Sequence, residues 1–204
     1  CERFTATFPD VAALAKASLD EVLHLWSGLG YYSRARNLHA TAKLVTEQLA
    51  GKFPSDLVGL CALPGIGRST AGAIMALASD ARAAILDGNV KRVLARYHAE
   101  AGWPGETAVL QRLWALAEAH LPNADFRNYT QAMMDLGATV CTRRNPYCAS
   151  CPVAEDCRAC VENRTSDYPG ARPRRTVPLR HTCFLVIEDS HGAILLERRP
   201  AHGV

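Results

Sequence analysis

Hydrophobic positions recur at helical spacing through the first two-thirds of the chain. Ser18-Leu19-Asp20-Glu21 fits a capping box, and Leu19, Val22, Leu23 and Trp26 follow on one face. The pattern predicts a helix that stops at Gly28-Leu29-Gly30. A second helix is predicted over 34–49, with Leu38, Ala42, Val45 and Leu49 along one side. Helices over 56–63 and 68–78 form a pair about a glycine turn, and 89–98, 107–120 and 128–140 are three more. The opening residues CERF read as the tail of a helix. Alternating patterns are nearly absent up to residue 140, so this part is expected to be all-α.

Farther on the pattern changes. Residues 169–180, PGARPRRTVPLR, carry three prolines and four arginines, a composition that suits an extended linker. TCFLVIED and AILLERR are β-rich runs on either side of Ser190-His191-Gly192, which predicts a hairpin. One hairpin is not independently stable, so 181–204 is expected to open a further, β-containing domain. The expected organisation is a helical lobe over 1–82 that contains the helix pair at 57–78, and a second lobe over 83–168. The linker and the β-containing start follow. With no initiator Met and an end just after a strand pattern, the chain reads as an internal piece of a longer protein.

Composition changes this picture little. The chain has 204 residues, of which 49% are hydrophobic, enough for a core without staples. A net charge of +3 permits a nucleic-acid partner without arguing for one. No apolar run reaches the roughly 18 residues of a membrane span and no signal peptide is present, so no membrane partner and a cytoplasmic or nucleoid setting are expected.

Four stretches carry candidate chemistry. In LPGIGRSTAGAI, residues 63–74, Gly65 and Gly67 leave no side chain between backbone and ligand. The first N–H groups of the next helix, at Arg68, Ser69 and Thr70, lack intrahelical partners, and the helix dipole favours an anion there. Ser69 and Thr70 add hydroxyls. This suits a grip on a DNA backbone without base reading, and it also suits a plain helix–helix corner. In ILDGNVKRVLAR, Asp87 fits a turn or cap residue, and equally a carboxylate that stabilises a cationic sugar. Five of the eight cysteines fall between 141 and 160. Cys141, Cys148, Cys151 and Cys157 give C-x6-C-x2-C-x5-C, which suits zinc, an iron–sulfur cluster or loose thiols, with Cys160 as a spare. Tyr31 and Tyr32, between glycines and arginines, form either a packed aromatic corner or a wedge for a base stack.

The run L-P-G-I-G-R-S-T-A-G resembles the helix-hairpin-helix motif of the endonuclease III superfamily of DNA repair glycosylases, and L-D-G-N-V-x-R-V follows where that superfamily places its aspartate. The cysteine spacing, after M-D-L-G-A-x-x-C, is similar to the superfamily's [4Fe-4S] loop. With LHLWSGLGYYSRARNLH and QAMMDLGATVC, the chain closely resembles MutY-type adenine DNA glycosylases from residue 1 to about 200. The resemblance implies two helical lobes with a cleft between them and a truncated Nudix-like domain. It implies that Asp87 stabilises the cationic sugar, that Asn89 orients water or substrate, and that Tyr31 is the wedge. Cys141, Cys148, Cys151 and Cys157 would hold a [4Fe-4S] cluster, with Arg143, Arg144 and Arg158 presenting charge to phosphates. The implied partner is duplex DNA with adenine opposite 8-oxoguanine or guanine, bound by a monomer.

Strand-cutting members of the superfamily carry a lysine where this chain has Ser69. A hydroxyl cannot form an imine, so an enzyme without an efficient lyase step is expected. The family's general acid, a glutamate near Gln-Gln-Thr, has no counterpart here, and the chain alone is expected to be nearly inactive. Two other readings stay open: a thymine- or uracil-mismatch glycosylase, and a DNA-binding module without catalysis.

Overall fold

The computed structural model describes residues 2–174, 178–179 and 181–196. Ten α-helices follow in order among the described residues: α1 (Glu2–Thr7), α2 (Val11–Lys16), α3 (Leu19–Leu25), α4 (Tyr32–Gln48), α5 (Leu57–Cys61), α6 (Arg68–Ser79), α7 (Gly88–Tyr97), α8 (Thr107–Ala119), α9 (Phe126–Asp135) and α10 (Arg158–Val161). α9 runs on into a π-helical turn, Leu136–Val140, and a 3-10 turn spans Cys148–Ser150. The chain divides into two compact units, Cys1–Arg172 and Pro173–Val204.

Local chemistry fixes the helix starts. Ser18 and Glu21 form the capping box of α3 in both directions. Asp10, Asp56 and Asp87 cap α2, α5 and α7 by accepting from the third backbone N–H beyond them. α6 and α9 start without a side-chain cap. The apolar faces meet in three clusters. Leu14, Val22, Ala35 and Ala42 join α2, α3 and α4. Val45, Leu60, Leu63 and Ala71 join α4, α5 and α6. The third runs from Ile85 to Tyr168 and centres on Val90, Leu94 and Leu113 of α7 and α8.

In the second unit the expected β-rich hairpin is reduced. Among the described residues there is one antiparallel bridge, Glu188 to Ile194, and no regular strand. Asp189 organises the turn by accepting from His191 N and Ala193 N at 2.8 and 2.9 Å. Phe184, Leu185 and Leu196 are exposed, so this ribbon buries no apolar face, and a two-stranded ribbon without one is marginal. The expected linker residues 175–177 and 180, the hairpin's last residues 197–199 and Cys1 lie outside the described residues. No described helix is long and apolar enough to cross a membrane.

Candidate functional site

The glycine turn between α5 and α6 is anchored to α4, because Thr41 Oγ1 donates to Pro64 O at 3.0 Å. Gly65 has φ +75°, and a Cβ there would stand 2.6 Å from Asn37 Cβ. Gly67 is different. Its φ of −89° and ψ of 171° suit any residue, and an added Cβ would meet nothing within 4 Å. The protein's own packing does not require glycine there, so the open side of Gly67 is free for close approach from outside. Thr70 is exposed at the start of α6.

The neighbours of the turn are drawn toward the protein. Arg68 stacks on Trp114, 3.8 Å from the ring centroid, and pairs with Glu118, both on α8. Ser69 Oγ accepts from Leu86 N at 2.9 Å. That bond ties the first turn of α6 to the backbone immediately before Asp87. Gly72 completes the junction, since a Cβ there would come 2.2 Å from Ala84 O.

Asp87 is the N-cap of α7 and accepts from Val90 N at 2.8 Å through Oδ1. Its Oδ2 takes no hydrogen bond among the described residues. The cap and the candidate site are therefore one carboxylate: one oxygen fixes its orientation and the other is left over. Asn89 lies in the first turn of the same helix. Its Oδ1 accepts from Arg92 Nη2 at 2.8 Å. Arg92 also donates to Gly137 O at 2.5 Å and to Cys141 O at 2.7 Å. Burial lowers the Arg92 pKa, opposed by the Cys141 sulfur and by Asp87. A Cβ on Gly137 would stand 2.6 Å from Asn89 Cβ, so the π-helical turn is packed directly on α7.

All five clustered cysteines, Cys141, Cys148, Cys151, Cys157 and Cys160, line a single cavity. Burial pushes the thiols of Cys148 and Cys157 up, and the charges of neighbouring cysteines add to this for both, while the backbone N–H of Cys160 works against it at Cys157. Arg96 lies beneath, 4% exposed, and donates to Cys141 Sγ at 3.4 Å and to the carbonyls of Thr142, Arg143, Thr165 and Tyr168. Among the described residues no three His, Cys, Asp or Glu side chains are placed ready to hold a metal ion. A single zinc ion needs its sulfurs about 2.3 Å from one point, whereas a polynuclear cluster spreads its ligands around a cage. Five thiols on one cavity, beside a buried cation, are soft donors of the kind that a zinc ion or an iron–sulfur cluster takes. Sequence reasoning missed Arg92 and Arg96. The available signal was their spacing of four on α7, beside the inward-facing Val93.

Tyr31 stands apart from these residues. It is 81% exposed, in left-handed backbone with φ 50° and ψ 53°. Gly28 and Gly30, at φ +84° and +66°, shape the turn, and Trp26 Nε1 donates to Gly30 O at 3.0 Å. The Arg34 guanidinium lies over both the Tyr31 and Trp26 rings, at 5.4 and 5.6 Å. A packed corner would bury the ring; this turn holds it out.

Residues 1–119 match the family model described as HhH-GPD superfamily base excision DNA repair protein. The chain is 41% identical over 187 residues to adenine DNA glycosylase of Buchnera aphidicola subsp. Schizaphis graminum, which covers 92% of this chain and 54% of that protein. To human adenine DNA glycosylase it is 48% identical over 153 residues, 74% of this chain and 28% of that one. It thus spans about half the length of the bacterial relative. A solved thermostable thymine-DNA glycosylase superposes with a TM-score of 0.70 at 28% identity, over 79% of this chain and 74% of that one. A non-covalent endonuclease III–DNA complex superposes with a TM-score of 0.67 at 24% identity, over 79% and 74%, a likeness of fold.

Proposed function

The chain belongs to the HhH-GPD superfamily of base excision DNA repair proteins, and from that premise we propose that it is part of an adenine DNA glycosylase. Its substrate is duplex DNA with adenine opposite 8-oxoguanine or guanine, and its reaction is hydrolysis of the bond between base and sugar. The observation that carries the reading is Asp87. It is an oriented carboxylate with one oxygen to spare, linked through Leu86 and Ser69 to a turn that is open at Gly67.

The roles follow from placement. The open side of Gly67 and the uncapped start of α6 take a phosphate of the DNA backbone. Tyr31, held out from its turn, enters the base stack and helps expel the adenine, at a cost of a few kcal/mol in lost stacking. Cleavage of the N-glycosidic bond builds positive charge on the sugar, and the fixed charge of Asp87 stabilises it. A general acid must protonate the leaving adenine, and no carboxylate of this chain is assigned that part. Asn89 holds Arg92 through Oδ1, and its amide N–H groups orient water or substrate. Ser69 offers no amine for an imine, so the reaction stops at base removal. Cys141, Cys148, Cys151 and Cys157 would hold a [4Fe-4S] cluster, with Cys160 in reserve. That group supplies a rigid fixture and local charge, not chemistry at the sugar.

The test uses full-length protein on duplexes with A opposite 8-oxoguanine, A opposite G, T opposite G and U opposite G, treated with and without hot alkali. Breaks at A that need alkali are expected. Breaks at A without alkali would overturn the lyase-free assignment. Breaks at T or U would favour the mismatch reading, to which the thymine-DNA glycosylase likeness points more weakly than the adenine glycosylase identities do. An intact strand on all four would leave a binding module.

A further inference from the structure

α7 and α8 each end on a histidine, and the two ends meet. His98 and His120 are the C-caps, both still in right-handed helical backbone. Their Nε2 atoms face each other at 2.7 Å, with the ring centroids 4.9 Å apart. The pair is held rather than loose. The Tyr97 ring meets both imidazoles edge-on, at 5.0 and 5.5 Å between centroids. His98 is half-buried and His120 is exposed, so solvent reaches the pair. Neither histidine lines the cysteine cavity.

The surroundings suit a cation of moderate affinity. A helix ends in carbonyls without intrahelical partners, and its dipole gives the last turn a partial negative charge. Two such ends lie behind these two rings. Glu100 adds a negative charge near His98, although Arg112 pairs with it at 2.7 Å. Arg158 works the other way. Burial, then His120 and Arg158, lower the His98 pKa. His98 is therefore neutral at neutral pH, the form in which imidazole binds metal.

As drawn, one Nε2 donates and the other accepts. If the donating ring carries its proton on Nδ1 instead, both Nε2 lone pairs face one space. An ion about 2.0–2.1 Å from each, at a tetrahedral angle, would set the nitrogens about 3.3 Å apart. The rings must then part by roughly 0.6 Å, which the exposed His120 can accommodate. Imidazole suits zinc, nickel and copper, whereas magnesium and calcium take oxygen ligands. With two protein ligands and Arg158 nearby, water completes the coordination and the ion exchanges.

We propose that His98 and His120 form an exchangeable site for zinc or a similar nitrogen-preferring divalent ion, which ties the ends of α7 and α8 together through both Nε2 atoms. The site is separate from the cysteine cavity, and it does not depend on the reading of the chain as part of a glycosylase.

The test uses full-length protein purified without oxygen, with the contents of the cysteine cavity left in place. Zinc chloride is titrated by calorimetry, slightly above neutral pH, into the wild type, His98→Gln, His120→Gln, the double variant and His120→Cys, with magnesium chloride as the control. The wild type should take up one more zinc ion per chain than the double variant. Each single Gln variant should bind that ion at least about tenfold more weakly, since even groups that only orient a metal ligand matter that much. His120→Cys keeps a zinc ligand and should restore most of the affinity. Zinc should also raise the unfolding temperature of the wild type more than that of any Gln variant, and magnesium should not. A pair that serves packing alone would lower the unfolding temperature of the variants equally with and without zinc, and that result overturns the site. Equal zinc uptake and affinity in the wild type and the Gln variants overturns it as well. If the double variant does not fold, His120→Gln, at the exposed position, decides alone.

Discussion

At the scale of single residues, Asp87 and Gly67 separate structure from activity. Asparagine caps a helix about as well as aspartate, so Asp87→Asn should keep α7 and its stability to within about 0.5 kcal/mol. If Asp87 faces the sugar as proposed, the variant loses that charge, and base removal by the full-length protein should fall at least about 100-fold in single turnover, with DNA affinity nearly retained. Normal turnover in that variant would remove Asp87 from the site. Gly67→Ala asks the converse question. The added methyl has room and a permitted backbone, so stability to heat should move by less than about 1 kcal/mol. If a phosphate approaches there, affinity for duplex DNA should drop several-fold; unchanged affinity would return the turn to a plain helix corner.

At the scale of elements, the ends of α7 and α8 meet through histidines. His98 and His120, their C-caps, bring their Nε2 atoms to 2.7 Å, so one ring donates and the other accepts. Burial lowers the His98 pKa, and His120 and Arg158 lower it further, against Glu100. A histidine whose folded pKa lies below its unfolded value near 6.5 binds more protons when unfolded, so its contribution is complete above pH 6.5 and is lost as pH falls through the folded pKa. Resistance to thermal unfolding should therefore weaken below pH 6.5, and His98→Gln should flatten that dependence; an identical slope in the variant would place the titration elsewhere.

The elements were also where the sequence was most readable. α3, α4, α6, α7 and α8 carry long apolar stripes, and their expected bounds fall within two residues of those formed. α2 escaped because VAALAK is too short and too rich in alanine to show a face. The π-helical turn escaped because nothing in L-G-A-T-V distinguishes it from α-helix until Gly137 meets Asn89. Arg92 and Arg96 escaped because cations on a buried face contradict the pattern, and the carbonyls that satisfy them lie 45 to 72 residues away. The turn and the aspartate were legible as motifs. The direction of Arg68, Ser69 and Asn89 was not, since Arg68 and Ser69 answer to partners on other elements and Asn89 to an arginine that is itself aimed by Gly137 and Cys141.

At the scale of the molecule, the cysteine cavity and α7 form one assembly around Arg92 and Arg96. If it holds a [4Fe-4S] cluster, full-length protein purified without oxygen should contain about four iron and four sulfide per chain and absorb visible light. Stripping the iron should lower the unfolding temperature; one zinc per chain and no colour would assign the cavity to a single ion instead. The π-helical turn at the end of α9 has a consequence for everything that follows it. A π turn fits one extra residue into a helix, and each residue of an α-helix advances the chain by about 100°. Were the same residues wound into regular α form, Leu136 O would meet the N–H of Val140 rather than that of Cys141. Cys141 would then leave on a bearing about 100° away from Arg92 and Arg96, and the cysteine loop would be aimed off its cavity with every one of its thiols intact. The phase of a single turn, as much as the spacing of the cysteines, decides where that loop goes.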